Sequence, residues 1–281
     1  MVTASTAANP HFVIGLALLL WLLDKAISPS PRPGALILLS LLLVLVNPFC
    51  IVIALLALGG LAAWDFWLLW RSPGSVPQLA AKPGLLCRLP ASFSPLLWTF
   101  LGAAPLLLYT FWIMFTDPVF SGWNAQNLTP SPPPWDLLLS LSPVLLLAAA
   151  GAWLAFKRSE RRARLLAVWL MLDLLLLYLP LDLQRRLMTG LFIPVVGLAG
   201  IGIENWMQTD QRRARLALIA TLVLALPTNL IVLLAAFSGI QSHNSLLYLQ
   251  RGEAQALVWI EQNTPPDALV LSSPDMGLWI P

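Results

Sequence analysis

The sequence predicts an all-α polytopic membrane protein of about eight transmembrane helices, ending in the start of an external α/β domain. Three observations carry that prediction. Of 281 residues, 58% are hydrophobic and only 10% charged, whereas a soluble domain is about 45–50% apolar and about 25% charged. The apolar residues fall in runs close to the roughly 20 residues needed to cross a hydrocarbon core about 30 Å thick. Lys and Arg gather in alternate connections between those runs. Together these exclude a soluble globular enzyme, a disordered chain and a nucleic-acid binder. The net charge of +3 and pI near 9.2 imply no acidic partner, because in a membrane protein the placement of basic residues matters more than their sum.

The first span runs from His11 to Ile27, with Asp24 and Lys25 able to snorkel at its end. It lacks a basic stretch ahead of its apolar run, so it reads as a span rather than a cleaved signal peptide. The second span, Gly34 to Val46, meets the third, Phe49 to Trp70, at Asn47-Pro48, a breaker pair that predicts a tight hairpin. A fourth covers Phe93 to Phe115 and a fifth Leu137 to Phe156. The sixth, Leu165 to Leu179, stops at Pro180. The seventh runs from Leu187 to Trp206 and the eighth from Leu216 to Phe237.

Orientation follows from the connections. Arg71, Lys82 and Arg88 follow span three. Lys157, Arg158, Arg161, Arg162 and Arg164 follow span five. Arg212, Arg213 and Arg215 follow span seven. Even numbers of spans separate these loops, so they share one side, which the positive-inside rule makes cytoplasmic. Lys25 and Arg32 join them if the N-terminus is outside. Asp117 to Asp136, free of Lys and Arg, is then external, as is the tail after Phe237. The membrane domain is expected over residues 1–238 and the external one over 239–281. In that tail, Glu253 to Gln262 has apolar residues at helical spacing and Ala268 to Leu271 reads as a short buried strand between two turn clusters. Helix, turn and strand cannot form a core alone, so the C-terminus is expected to be unfinished. There is no internal repeat.

Few residues carry chemistry. Gln184-Arg185-Arg186 sit in a short connection expected on the outer side, against the positive-inside pattern. They either snorkel to lipid head groups or form an anion site, since the arginine fork suits phosphate oxygens. Gly190, Pro194, Gly197 and Gly200 after them read as helix packing. The loop with Asp117, Trp123, Gln126 and Asn127, Pro-rich from Pro130 to Pro134, either anchors at the interface through Trp123 and Trp135 or covers a substrate groove. Asn127-Leu128-Thr129 matches a glycosylation sequon. Asp173 lies mid-span and is expected to make a structural hydrogen bond or relay a proton; Asp65 and Glu204 can reach the interface. His11 and His243 are isolated, Cys50 and Cys87 read as unpaired thiols, and no metal-ligand cluster, phosphate loop or hydrolase motif is present.

Several segments resemble a known family: Asn47-Pro48-Phe49 opening a span, Asp117-Pro118-Val119 with Trp123 and Gln126-Asn127, Ser131-Pro132-Pro133, Gln184-Arg185-Arg186 with Gly190, Pro194 and Ala199-Gly200, and Asp267 to Pro274 with Gly277 and Ile280-Pro281. The chain resembles the bacterial membrane glycosyltransferases of the GT-C fold, related to family 39 and the dolichyl-phosphate-mannose mannosyltransferases. The resemblance implies transfer of a sugar from a polyprenyl-phosphate donor on the extracytoplasmic face of a bacterial plasma membrane. It implies that Arg185 and Arg186, with Gln184, hold the donor phosphate, and it allows a divalent metal in the complete enzyme. The family's carboxylate in the first external loop has no counterpart at the Asn47-Pro48 hairpin, and Asp117 lies too late in the chain. Either the chain is a C-terminal portion lacking the catalytic part, which the unfinished C-terminus favours, or it is a divergent, inactive relative. The rivals are a transporter or flippase of a lipid-linked substrate, and a non-enzymatic membrane scaffold.

Overall fold

A computed structural model describes residues 10–71, 92–126, 130–157, 160–179, 184–242, 249–265 and 268–272. Described residues up to Leu224 form one compact unit and those from Ala225 onward a second.

The first unit is helical. α1 (Pro10–Ala26), α2 (Pro33–Val46) and α3 (Pro48–Arg71) are followed by α4 (Phe93–Thr116) and the short α5 (Pro118–Gln126). Next come α6 (Pro134–Leu141), α7 (Val144–Lys157) and α8 (Arg161–Leu177), then a 3-10 turn at Gln184–Met188 and α9 (Phe192–Thr209). α10 (Gln211–Gln241) begins in this unit and ends in the second, which also holds α11 (Arg251–Asn263). Prolines open α1, α2, α3, α5 and α6, where their missing N–H costs nothing. Between α2 and α3 a single residue, Asn47, makes the break: its Oδ1 accepts the N–H groups of Phe49 at 3.1 Å and Cys50 at 3.3 Å. That caps α3 and realises the predicted hairpin. Asn47→Ala should cost about 1 kcal/mol of stability through the lost cap, read as a lower melting temperature; an unchanged value would show that Pro48 alone sets the break.

Two apolar clusters hold the unit together. The first joins α1 to α4: Leu19, Leu22, Leu36, Leu43, Ile51 and Leu58 close around Ala103, and Trp169 enters it from α8. The second joins α7, α8 and α9 through Ala148, Ala167, Leu170, Leu177, Val195 and Leu198. Helices approach closely where a glycine faces backbone. A β-carbon on Gly151 would overlap the Leu198 carbonyl, one on Gly202 would lie 2.7 Å from the Leu147 oxygen, and one on Gly102 would overlap Ser40 Oγ. Close approach at small residues is how helices associate when lipid gives apolar side chains no reason to leave it. Gly197 faces Leu166, while nothing lies near Gly200.

Four described helices are long and apolar enough to cross a membrane, α3, α4, α10 and the stretch Arg186–Thr209 that contains α9, or five if the α6–α7 pair counts as one. The chain is therefore an all-helical protein of a membrane type, but the expected eight crossings are not all of spanning length. At 1.5 Å per residue, α2 with 14 residues reaches about 21 Å, because Pro33 and Asn47 bound it. α1 and α8, at 17 residues each, reach about 25 Å. Span five is not straight: α6 and α7 meet at 89° across Ser142-Pro143, a break the sequence carries in its proline.

In the second unit, α11 covers the helix expected at Glu253 to Gln262 and is closed by a capping box between Gln250 and Glu253. The expected strand is not there. Residues 268–272 form no ladder, and Leu269 and Leu271 are fully exposed. No strand exists among the described residues, so the α/β domain is corrected to a helix followed by a segment that forms no strand ladder. Extended residues without a partner edge have nothing to bury them.

Candidate functional site

Two groups of charged and polar side chains stand out in the first unit. At one end, Asp65 on α3 pairs with Arg164 on α8 at 3.2 Å and accepts the Ser92 hydroxyl at 2.7 Å. Both partners of the ion pair are less than one-fifth exposed. Asp24 at the end of α1 pairs with Arg162 at 3.0 Å, in the open. Burial pulls the Arg161 guanidinium below its usual range, Asp65 opposes that, and the Arg164 charge adds to it. Asp65 thus does more than reach the interface: with Arg164 it fastens α8 to α3. Glu204 is exposed.

At the other end a pocket of about 450 Å³ is lined by His11, Phe12, Val46, Asn47, Pro48, Phe49 and Arg186. Three segments far apart in sequence build it. α1 brings His11 and Phe12, whose rings lie 4.6 Å apart. The α2–α3 hairpin supplies the next wall; Asn47 is buried and lies against α1 because Gly15 has no side chain, a β-carbon there falling 2.9 Å from Asn47 Cβ. The 3-10 turn brings Arg186, whose guanidinium carbon sits 5.3 Å from the centre of the Phe49 ring, within cation–π range. The turn is held by the Thr189 hydroxyl, which donates to the Arg186 carbonyl at 2.7 Å, and by Gly190, whose φ of +90° favours glycine. The α3 N-terminus also faces this wall, adding the positive end of a helix dipole. The lining mixes a cation and polar groups with aromatic and apolar ones. That suits an anionic group attached to an apolar chain or ring.

Arg186, one of the residues the sequence singles out as a candidate anion ligand, lines this pocket. The side chains of Gln184 and Arg185, the backbones of which lie in the same turn, fall outside the described residues, as do those of Trp123 and Gln126 on α5 and all of Asn127. Asp117 is not among the pocket residues. Its carboxylate accepts the Val119 N–H at 2.8 Å and the Phe120 N–H at 3.2 Å, capping α5. The Pro-rich loop docks on the end of α8: the Ser131 hydroxyl donates to the Leu177 carbonyl and the Tyr178 hydroxyl to that of Pro132 at 3.4 Å. Trp135 is exposed. Asp173 is buried within α8. Cys50 is a free, buried thiol, while Cys87 and His243 lie outside the described residues.

The residue the sequence misses is His11. It reads as isolated because its neighbours in space come from the hairpin and from the far side of the bundle, and no spacing rule links them. Among the described residues no cluster of three His, Cys, Asp or Glu is arranged to hold a metal ion. The chain matches no protein-family model, no curated protein and no solved structure.

Proposed function

We propose that this chain is the donor-binding portion of a GT-C-like glycosyltransferase, with Arg186 holding the phosphate of a polyprenyl-phosphate sugar at the outer surface of a bacterial plasma membrane. The observation that carries the reading is the pocket itself, where Arg186, His11 and Asn47 are interleaved with Phe12, Val46 and Phe49. A phosphate gains charge-assisted hydrogen bonds from the arginine fork, and the apolar lining residues accept the first part of the attached chain. Lipid-exposed Leu38, Leu42 and Leu45 descend α2 from the pocket at helical spacing and give such a chain a continuous track.

In this reading α1, α2 and α8 cross as short helices beside the longer ones, making eight crossings, and the pocket end faces outward. Support comes from the sorting of contacts. The basic first turn of α8 meets Asp24 and Asp65, as loops on one side of a membrane must, and Ser131 and Pro132 meet the opposite end of α8. The tail from Ser238 onward is extracytoplasmic, with α11 as the first element of an external domain. Among the described residues the pocket lining holds no carboxylate, so in this reading the acid that activates the acceptor, with any divalent metal, is not part of that lining.

The test uses the full chain in lipid nanodiscs and a radiolabelled polyprenyl phosphate. Hydrogen bonds to a charged group contribute about 1.5–3 kcal/mol, so Arg186→Ala should weaken binding about 10–100-fold. Equal binding by wild type and variant removes the donor-site assignment. In the complete enzyme, Arg185→Ala and Arg186→Ala should abolish transfer without unfolding the protein.

A further inference from the structure

Three buried polar side chains in the first unit are satisfied. Ser40 donates to the Ile37 carbonyl, Asn47 caps α3 and Ser92 donates to Asp65. Several polar atoms are not, among them Thr99 Oγ1 on α4 and two neighbouring groups on α8. Asp173, 2% exposed, has no hydrogen-bond partner for Oδ2, and Trp169, 1% exposed, has none for Nε1. They are one helical turn apart, hence on the same face, and the indole lies beside the carboxyl without the alignment of a hydrogen bond. The far edge of the same indole abuts the turn that carries Arg186: a β-carbon on Gly190 would sit 3.3 Å from Trp169 Cζ2.

We propose that Trp169 and Asp173 form a binding site for one hydroxyl group, supplied by a buried water, inside the helical bundle. The pair consists of an obligate donor, the indole N–H, and an acceptor oxygen. An O–H group satisfies both, accepting from Nε1 and donating to Oδ2. A cation does not fit, because the indole hydrogen would point at it. A buried donor or acceptor without a partner is costly, and water at polar partners is the usual remedy in protein interiors. The site hydrates an acid in the bundle next to the segment bearing Arg186, and it stands whether or not the pocket binds a lipid phosphate.

The experiment is X-ray hydroxyl-radical footprinting of the full chain in nanodiscs equilibrated with water labelled with oxygen-18. Bound water yields radicals that oxidise the side chain it touches. Trp169 is expected to acquire the label in the wild type. Asp173→Asn, which keeps an acceptor oxygen, should retain it, and Asp173→Leu should lose it several-fold. An unlabelled Trp169 in the wild type overturns the proposal, as does equal labelling in Asp173→Leu. If labelling appears only after co-purified lipid is stripped, the hydroxyl comes from that lipid and the assignment to water falls. Should the leucine variant fail to fold, the wild-type and asparagine measurements still decide.

Discussion

Gly151→Leu is expected to destroy the folded bundle. At this position α7 and α9 meet backbone to backbone, and even a β-carbon would overlap the Leu198 carbonyl. A flexible neighbour could swing aside, but a carbonyl inside a helix cannot move without dragging the helix. The same crossing contains Gly202, which faces Leu147 and Gly151 itself, so no slide along the axis relieves the clash. Overpacking of an adjustable core costs about 1–3 kcal/mol; against immovable backbone the loss should exceed about 4 kcal/mol, the range reserved for drastic defects. The measurement is monodispersity and melting temperature of the purified protein in detergent. Gly200→Ala is the control, because nothing lies within 4 Å of its β-carbon. It should be neutral or stabilise by up to about 1 kcal/mol through helix propensity. A well-folded Gly151→Leu would mean that α7 and α9 do not cross here.

Breaking the Asp65–Arg164 pair is the second large effect. Its partners are 19% and 16% exposed, while those of Asp24–Arg162 are 52% and 78% exposed. Removing one member of a fully buried pair costs about 3–5 kcal/mol because the other charge is stranded; the residual exposure here lowers that to about 2–3 kcal/mol. Asp65→Ala would remove the carboxylate that offsets Arg164 and the partly buried Arg161, and would also leave the Ser92 hydroxyl without its acceptor. Asp65→Ala should therefore be worse than Arg164→Ala, and the double variant better than the sum. Arg162→Ala should cost no more than about 0.5 kcal/mol. Thermal stability across this double-mutant cycle checks all four; similar losses at Arg162 and Arg164 would show that the ion pair does not fasten α8 to α3.

Much of the helical content was legible because hydropathy is a strong signal when lipid is the solvent. The runs at Phe49 to Trp70 and Phe93 to Phe115 appear as α3 and α4, and Asn47-Pro48 turns where expected. Helix length was less legible. The stretch Leu137 to Phe156 reads as one apolar run, yet Pro143 divides it into two helices at right angles. The expected strand at Ala268 to Leu271 was read from a local apolar run, but a strand needs an edge that local sequence does not reveal. Of the pocket, Arg186 was legible as a charge on the wrong side of a pattern. His11 was not, because an apolar chain with little periodicity conceals which helix ends meet. The Asp65–Arg164 pair was missed for the same reason: each residue alone satisfies the interface rule.

The single-residue break at Asn47 has a consequence for biogenesis. α2 spans too short a distance to settle in a bilayer alone, and Asn47, with its side chain committed to capping α3, leaves no length of chain to be translocated between the two helices. In the proposed topology the pair partitions from the translocon as one preformed helical hairpin, with the turn crossing first and the charges at Asp65 and Arg71 held back until last. A ribosome that stalls before Arg71 would therefore leave α2 waiting, and a spacer added after Asn47 should let the two helices insert separately and lose the pocket wall they share.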